Sequence, residues 1–285
     1  MGTLFLVATP IGHLEDVTLR ALRVLREAEL VLAEDTRRTR ILLDRYAIAA
    51  RPLSLHAHNE AARIARVLAV LEAGGSAAIV SDAGTPLVSD PGERLVAAAI
   101  SAGHAVVAVP GASAVLAALS VAGLPTARFA FVGFLPRRAR ERDAWLEAWR
   151  DREETLVLFE SPRRLAATLS RMAEILGDRP GCVARELTKL HEEVARGSLR
   201  DLATRFAKGA RGEVTIVVGG CPREAAARAA PDLDAAIHVG LASGETTREI
   251  ASRLAAQCDV PRREVYARAL AIREGGMRPG DREKA

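Results

Sequence analysis

Short apolar runs and longer amphipathic stretches alternate through the first hundred residues. "LFLVATP" (4–10), "LVLAED" (30–35), "AAIVSD" (77–82) and "AVVAVPG" (105–111) are nearly continuous apolar runs and predict strands. Between them, "TLRALRVLREA" predicts a helix with Leu19, Leu22 and Leu25 on one face, and "TRRTRILLDRY" a second. "ARIARVLAVLEAG" predicts a third, closed by Gly74 and Gly75, and "GERLVAAAISAG" a fourth. Strands that are apolar at successive positions belong to a mostly parallel sheet covered on both faces.

A second block opens new strands at "FAFVGF" (129–134), "TLVLFES" (155–161), "GCVAREL" (181–187) and "GEVTIVVGG" (212–220), with a helix in "RRLAATLSRMAEILG". The expected boundary lies near residue 120, giving α/β domains over 1–120 and 121–222. Past 222 the chain turns to Ala, Arg and Pro and reads as a linker. A small helix-turn-helix-like unit is expected over 235–275. Thr246 and Glu249 form its capping box, Ile250 and Leu254 its apolar face, and Pro261 starts its second helix.

Composition narrows this picture. The 285 residues are 49% hydrophobic but only 4% aromatic, so the cores are built from Ala, Leu, Val and Ile. The net charge is +4, and among 40 basic residues only Lys189, Lys208 and Lys284 are lysines. Arginine makes planar bidentate contacts with phosphate, although genome composition also accounts for the bias. Cys182, Cys221 and Cys258 are widely spaced, which fits a reducing cytoplasmic setting rather than a disulfide scaffold. "MGTLFLVATPIG" has no basic n-region, and Leu6 stands where a myristoylation motif needs Ser or Thr. The apolar stretch 105–124 is broken by Pro110, Gly111 and Ser113, so strand, turn and helix are expected there and no membrane span.

The stretch "VSDAGTPLVSDPG" (80–92) repeats an S-D-x-G pattern directly off a strand. It is not a nucleoside-triphosphate loop: the chain has no G-x-x-x-x-G-K-S/T and no G-x-G-x-x-G opening a helix after the first strand. "ATPIGH" and "PGASA" are two further loops of the same kind. All three leave the carboxyl ends of strands, where open α/β sheets bind ligands. A neutral or cationic small molecule suits them better than a triphosphate.

The motifs "LVATPIGHLEDVTLRAL", "AEDTRRTRILL", "HAHNE", "VSDAGTPLVSDPG", "VPGASA", "GFLPRR", "FESPRRL" and "ARELTKLHEEVARGSL" closely resemble the small-subunit ribosomal RNA cytidine 2′-O-methyltransferases of the tetrapyrrole-methylase superfamily. The resemblance runs in order from residue 3 to about 220. It implies two α/β domains with S-adenosylmethionine in the cleft between them, a homodimer, and small-subunit ribosomal RNA or the assembled subunit as substrate. The superfamily more often spells the donor loop G-D-P; here the triplet is Gly84, Thr85 and Pro86, a departure that favours the RNA branch. By the same correspondence Pro10, Ile11, Val88, Gly111, Ser113 and Ala114 fall at donor-contacting positions. Phe159, Arg185 and Glu213 are expected to close the other side.

RNA requires charge, for which Arg37, Arg38 and Arg40 and the cluster Arg137, Arg138, Arg140 and Arg142 are the dense candidates; a solvated helix face is the alternative for each. His56, His58 and Asn59 are expected in RNA contact or in a hydrogen-bonded turn, and no metal is expected. "RELTKLHEE" offers Glu186 and Lys189 for catalysis. Lys189 acts either as a base, which needs a lowered pKa, or as a partner for phosphate. Two competing readings stay open: another enzyme of the superfamily acting on a tetrapyrrole or a protein side chain, and a non-catalytic nucleic-acid-binding protein.

Overall fold

The computed structural model describes residues 2–56, 59–222, 233–258 and 260–275. They form two compact units, Met1–Arg150 with Glu154–Gly220, and Asp151–Glu153 with Cys221–Ala285.

The larger unit contains two five-stranded sheets. The first comprises β1 (Thr3–Val7), β2 (Leu30–Ala33), β3 (Leu53–Ser54), β4 (Ser76–Val80) and β5 (Ala105–Val109), in the order β3-β2-β4-β1-β5. Every pairing is parallel, as the continuous apolar runs predict. Alternate strand residues serve opposite faces. Val7, Val31, Ala33, Ala78 and Val80 pack on one side with Leu22 and Leu25 of α1 (Leu19–Glu27) and Leu42 and Leu43 of α2 (Thr36–Arg45). Leu4, Leu30, Leu32 and Ile79 pack on the other with Val67 and Leu71 of α3 (Glu60–Glu72) and Leu95 of α4 (Glu93–Ser101). Leu19 departs from its expected buried face: it opens α1, next to the capping Thr18, and is 87% exposed.

The second sheet runs β6-β7-β10-β8-β9, from β6 (Phe129–Phe134), β7 (Thr155–Glu160), β8 (Pro180–Arg185), β9 (Glu193–Ser198) and β10 (Val214–Val218). Only β6 and β7 pair in parallel. One face carries Leu156, Leu158, Val183 and Ile216 under α6 (Ala139–Ala148), α7 (Leu165–Ile175) and α8 (Leu199–Arg205). The opposite face carries Val157, Cys182, Ala184 and Val217 under Val115, Ala118 and Leu119 of α5 (Ala114–Ala122). The expected boundary near residue 120 therefore falls inside a helix that packs on the second sheet, with Ile11 and Leu187 in the same cluster.

The smaller unit holds α9 (Leu233–Ala242), α10 (Thr247–Cys258) and α11 (Arg262–Gly275). Ile237, Ile250, Leu254 and Val265 form its core, so a third helix joins the two expected. The capping box is present: Thr246 N donates to Glu249 Oε2 at 2.8 Å, and Glu249 N to Thr246 Oγ1 at 3.3 Å. The linker over 223–232 lies outside the described residues. No helix among those described is long and apolar enough to cross a membrane.

Candidate active site

Two chambers share a wall at the carboxyl ends of the first sheet's strands. The β1 and β4 loops are tied together there: Thr9 N donates to Gly84 O at 2.9 Å and Gly84 N to Thr9 O at 3.0 Å. The Thr9 hydroxyl donates to Ser81 O at 3.2 Å, and the Ser81 hydroxyl to Gly84 O at 3.1 Å. Gly84 has φ +82°, a conformation that costs an L side chain strain, and Leu87 (+71°) and Ser89 (+68°) bear that strain in the same loop.

The first chamber, about 370 Å³, is a small-molecule-sized cavity. Ile11, Gly84, Thr85 and Val88 line it from the first sheet, Ser113 and Ala114 from the start of α5, and Phe159 and Glu213 from the second sheet. These are eight of the twelve positions the resemblance assigns to a methyl donor. The other four lie outside its wall. Pro10 lines the second chamber; Pro86 and Gly111 line neither. Gly111 instead serves packing, since a Cβ there would sit 3.0 Å from the Ala8 Cβ. Arg185 turns away to pair with Glu193, which also holds Arg205 at 2.8 Å.

The chamber wall is acidic. Asp82, Asp90, Glu160 and Glu213 line it against one cation, Arg38. Asp82 and Asp90 are the two aspartates of the S-D repeat, and the fold brings both to the same cavity. Burial, followed by the Glu34 charge, pushes the Asp90 carboxyl up to about 6. Burial and the neighbouring Asp82 also raise Glu34. Glu160 is buried and fully engaged, accepting from Ser161 N at 2.6 Å and from the Thr168 hydroxyl at 2.7 Å. Phe134, from the "GFLPRR" motif, lines the chamber beside Phe159, with ring centroids 5.7 Å apart.

The second chamber, about 330 Å³, shares Ile11, Arg38, Asp82, Ala83 and Glu213 with the first and adds residues of α2 and Lys189. Gly12 lets the chain pass close to the opposite loop, because a Cβ there would sit 2.5 Å from Lys189 Cγ and 2.9 Å from Leu187 O. His13 N donates to Thr188 Oγ1 at 3.0 Å across the same gap.

Lys189 Nζ lies 2.9 Å from Glu186 Oε1 and 3.1 Å from Glu213 Oε2. Burial pulls its pKa down, but the hydrogen bonds and charges of the two carboxylates outweigh this and raise it. The base role requires the opposite shift; the two carboxylates favour the charged form of Lys189. Glu186 is held below its usual range, first by the Lys189 hydrogen bond, and it lines neither chamber.

The candidate RNA residues separate into several groups. Arg38 lies between the chambers, 3.6 Å from both Asp82 and Glu213. Arg37 is folded back on the α2 cap Asp35 at 2.7 Å, and Arg40 donates to Ala50 O at 3.1 Å. Arg137 and Arg138 are exposed ahead of α6, with Arg138 2.9 Å from Glu141. Asn59 builds the turn before α3: its Oδ1 accepts from His56 N at 2.9 Å and its Nδ2 donates to Ser54 O at 3.1 Å. His58 lies outside the described residues.

Fold and site together define a two-sheet α/β protein with an acidic small-molecule chamber opening onto a second, mixed-charge one. The chain belongs to the tetrapyrrole (corrin/porphyrin) methylases, whose family model matches residues 3–203. It is 46% identical over 274 residues to the ribosomal RNA small subunit methyltransferase I of Mesorhizobium japonicum, covering 95% of this chain and 92% of that protein. The protein of the same name from Synechocystis sp. is 42% identical, covering 97% and 100%. Among solved structures, the chain resembles a uroporphyrin-III C-methyltransferase from Thermus thermophilus complexed with S-adenyl homocysteine. That match has a TM-score of 0.53 at 23% identity, covering 76% of this chain and 97% of that one, a likeness of fold.

Proposed function

We propose that this protein transfers a methyl group from S-adenosylmethionine to the 2′-hydroxyl of a cytidine in small-subunit ribosomal RNA. That it is a ribosomal RNA methyltransferase follows from relatives that match nearly its whole length. The observation that carries the donor and the ribose chemistry is the acidic, apolar-walled chamber joined through Arg38 to a second one.

The residues present fit that donor. Asp82, Asp90 and Glu213 suit a molecule carrying sulfonium and ammonium charges. Phe134 and Phe159 offer aromatic faces, and Ile11 and Val88 apolar contact, to its uncharged parts. When bound, the sulfonium supplies an electrophilic methyl group and departs as a neutral thioether. This chain's residues hold the hydroxyl in line with that methyl, and positioning of this kind contributes up to roughly 7–11 kcal/mol. One C–O bond forms, one C–S bond breaks, and the hydroxyl proton must leave. Asp82 and Glu213, which line both chambers, are the acceptors this geometry offers in place of Lys189. The charged Lys189 and Arg38 hold phosphate or the developing negative charge on oxygen.

We further propose that the enzyme works as a homodimer in the cytoplasm, where ribosomal RNA is made, and needs no metal, since the donor carries its own leaving group. The test is transfer of labelled methyl from S-adenosylmethionine to small subunits taken from cells lacking this gene, with and without a chelator. Chelator-resistant incorporation into ribose supports the reading; no incorporation, or loss of transfer with the chelator, counts against it.

A further inference from the structure

The tripeptide Pro-Arg-Arg occurs at 136–138 and again at 162–164. Each copy begins two residues after a second-sheet strand ends, at Phe134 and Glu160, and runs directly into a helix, α6 or α7. A third copy, at 261–263, differs in that its arginines lie inside α11 of the smaller unit. β6 and β7 pair in parallel with Phe134 opposite Phe159, so the first two copies leave the same end of the sheet side by side. Arg164 ties them together: its Nη2 donates to Leu135 O and Pro136 O, both at 3.3 Å, and lies 3.3 Å from the buried Glu160 carboxylate.

The second arginine of each copy is thereby committed, Arg164 to the neighbouring loop and Arg138 to Glu141 at 2.9 Å. The first arginine of each is not. Arg137 and Arg163 are exposed and have no hydrogen bond or ion pair among the described residues. The nearby acids are taken, since Glu141 and Glu160 hold Arg138 and Arg164, and Asp143 holds Arg142 and Arg171. Helix capping does not account for the motif either. Arg138 and Arg164 stand at the N-caps of α6 and α7 without a side-chain cap bond, and a cation is unfavourable at that end of a helix.

Two unpaired guanidinium groups on adjoining loops suit one anion, and their planar forks match phosphate. Neither lines a chamber, whereas Phe134, Ser161 and Pro162 beside them line the donor chamber. A charge pair outside the cavity and next to its wall fits the backbone of a long substrate rather than the donor. We propose that Arg137 and Arg163 together hold one backbone phosphate of the RNA, anchoring the strand on the second-sheet side of the donor chamber. The proposal rests on the reading of the protein as a ribosomal RNA methyltransferase and adds a phosphate site to it, with Arg163 as a residue the sequence pattern did not single out.

The experiment compares wild type with Arg137→Gln, Arg163→Gln and the double variant, using small ribosomal subunits from cells lacking this gene as the RNA probe. Subunit binding is measured over a range of salt concentrations, beside S-adenosylmethionine binding, the thermal midpoint and methyl transfer by wild type. Each single variant is expected to weaken subunit binding by roughly tenfold, the effect of losing a hydrogen bond to a charged partner. The double variant should lower the salt slope by about 0.7–0.9, the share of one phosphate. Donor affinity and the thermal midpoint should match wild type, because both side chains are exposed and lie outside the chambers. Unchanged affinity and slope in the double variant would make both arginines merely solvated, and a slope lowered by about twice that amount would assign them to separate phosphates. Either result overturns the shared site. If the double variant behaves as expected but wild type transfers nothing to ribosomal RNA, the phosphate site stands and the reaction assigned above falls.

Discussion

Replacing Gly84 with valine separates the two roles this glycine plays. The backbone at φ +82° penalises any L residue by roughly 1–2 kcal/mol. For a unit of this size that lowers the thermal midpoint by about 2–8 °C, which leaves a folded protein at assay temperature. The Cβ would lie 3.3 Å from Ile11 Cγ2 and 3.5 Å from Ala112 O, the first tighter than ordinary contact and the second ordinary, so alanine needs only a small shift of Ile11. Valine adds two methyl groups at the chamber wall. Overfilling a packed site costs roughly 1–3 kcal/mol, which raises the donor Kd by about 5- to 150-fold. Titration calorimetry with S-adenosylmethionine, run beside thermal denaturation, reads both terms. A folded Gly84→Val protein with wild-type donor affinity would show that Gly84 serves the turn alone.

Three other perturbations follow from the site. Asp90 titrates near 6 and a cationic donor prefers it ionised, so donor affinity should fall by up to about tenfold between pH 7 and pH 5. Because its folded pKa is raised, its stability contribution has the opposite sign: it is complete below the unfolded value and lost as pH rises through 6, and Asp90→Asn should flatten both trends. Lys189→Arg should keep most activity. Lys189→Met should mainly weaken RNA binding, since the paired carboxylates favour the charged amine and a phosphate-holding role. A Lys189→Arg enzyme that binds RNA normally but cannot transfer would restore the base role. Reversing Arg137 and Arg138 to Glu should reduce the salt dependence of RNA binding by about 0.7–0.9 in slope for each phosphate no longer neutralised, with donor affinity unchanged; an unaltered slope would make that face merely solvated.

Four strands of the parallel sheet were legible as uninterrupted apolar runs followed by loops of small residues, but the edge strand β3 was not, because Leu53–Ser54 is too short and only half-buried. β9 was not: it is an edge strand in which only Ala195 of "EVARGS" is buried, and nothing in that pattern separates it from a loop. α6 hid for the same reason, burying only Leu146 among its charges. At the site, the loop positions carried over by resemblance largely met at one chamber, since strand ends fix where loops go. Side-chain direction was another matter. The shift of Lys189 depends on Glu213, which reaches it from the start of another strand, and spacing along the chain cannot disclose that meeting. The elevated pKa of Asp90 comes first from burial and then from Glu34, and the buried, unpaired hydroxyl of Thr39 is likewise a fact of packing. The S-D repeat did hold a readable signal: two aspartates in one ligand loop place negative charge at the ligand.

Nucleoside mass spectrometry reads methyl transfer to a ribose hydroxyl of small-subunit RNA without intermediary. Small-subunit RNA is digested from cells with the gene, without it, and without it but incubated with the purified enzyme and S-adenosylmethionine. A 2′-O-methylcytidine is expected in the first, absent from the second and restored in the third. An unchanged set of ribose methylations in cells lacking the gene, or a restored methyl group on a base instead of a ribose, would contradict the proposed transfer.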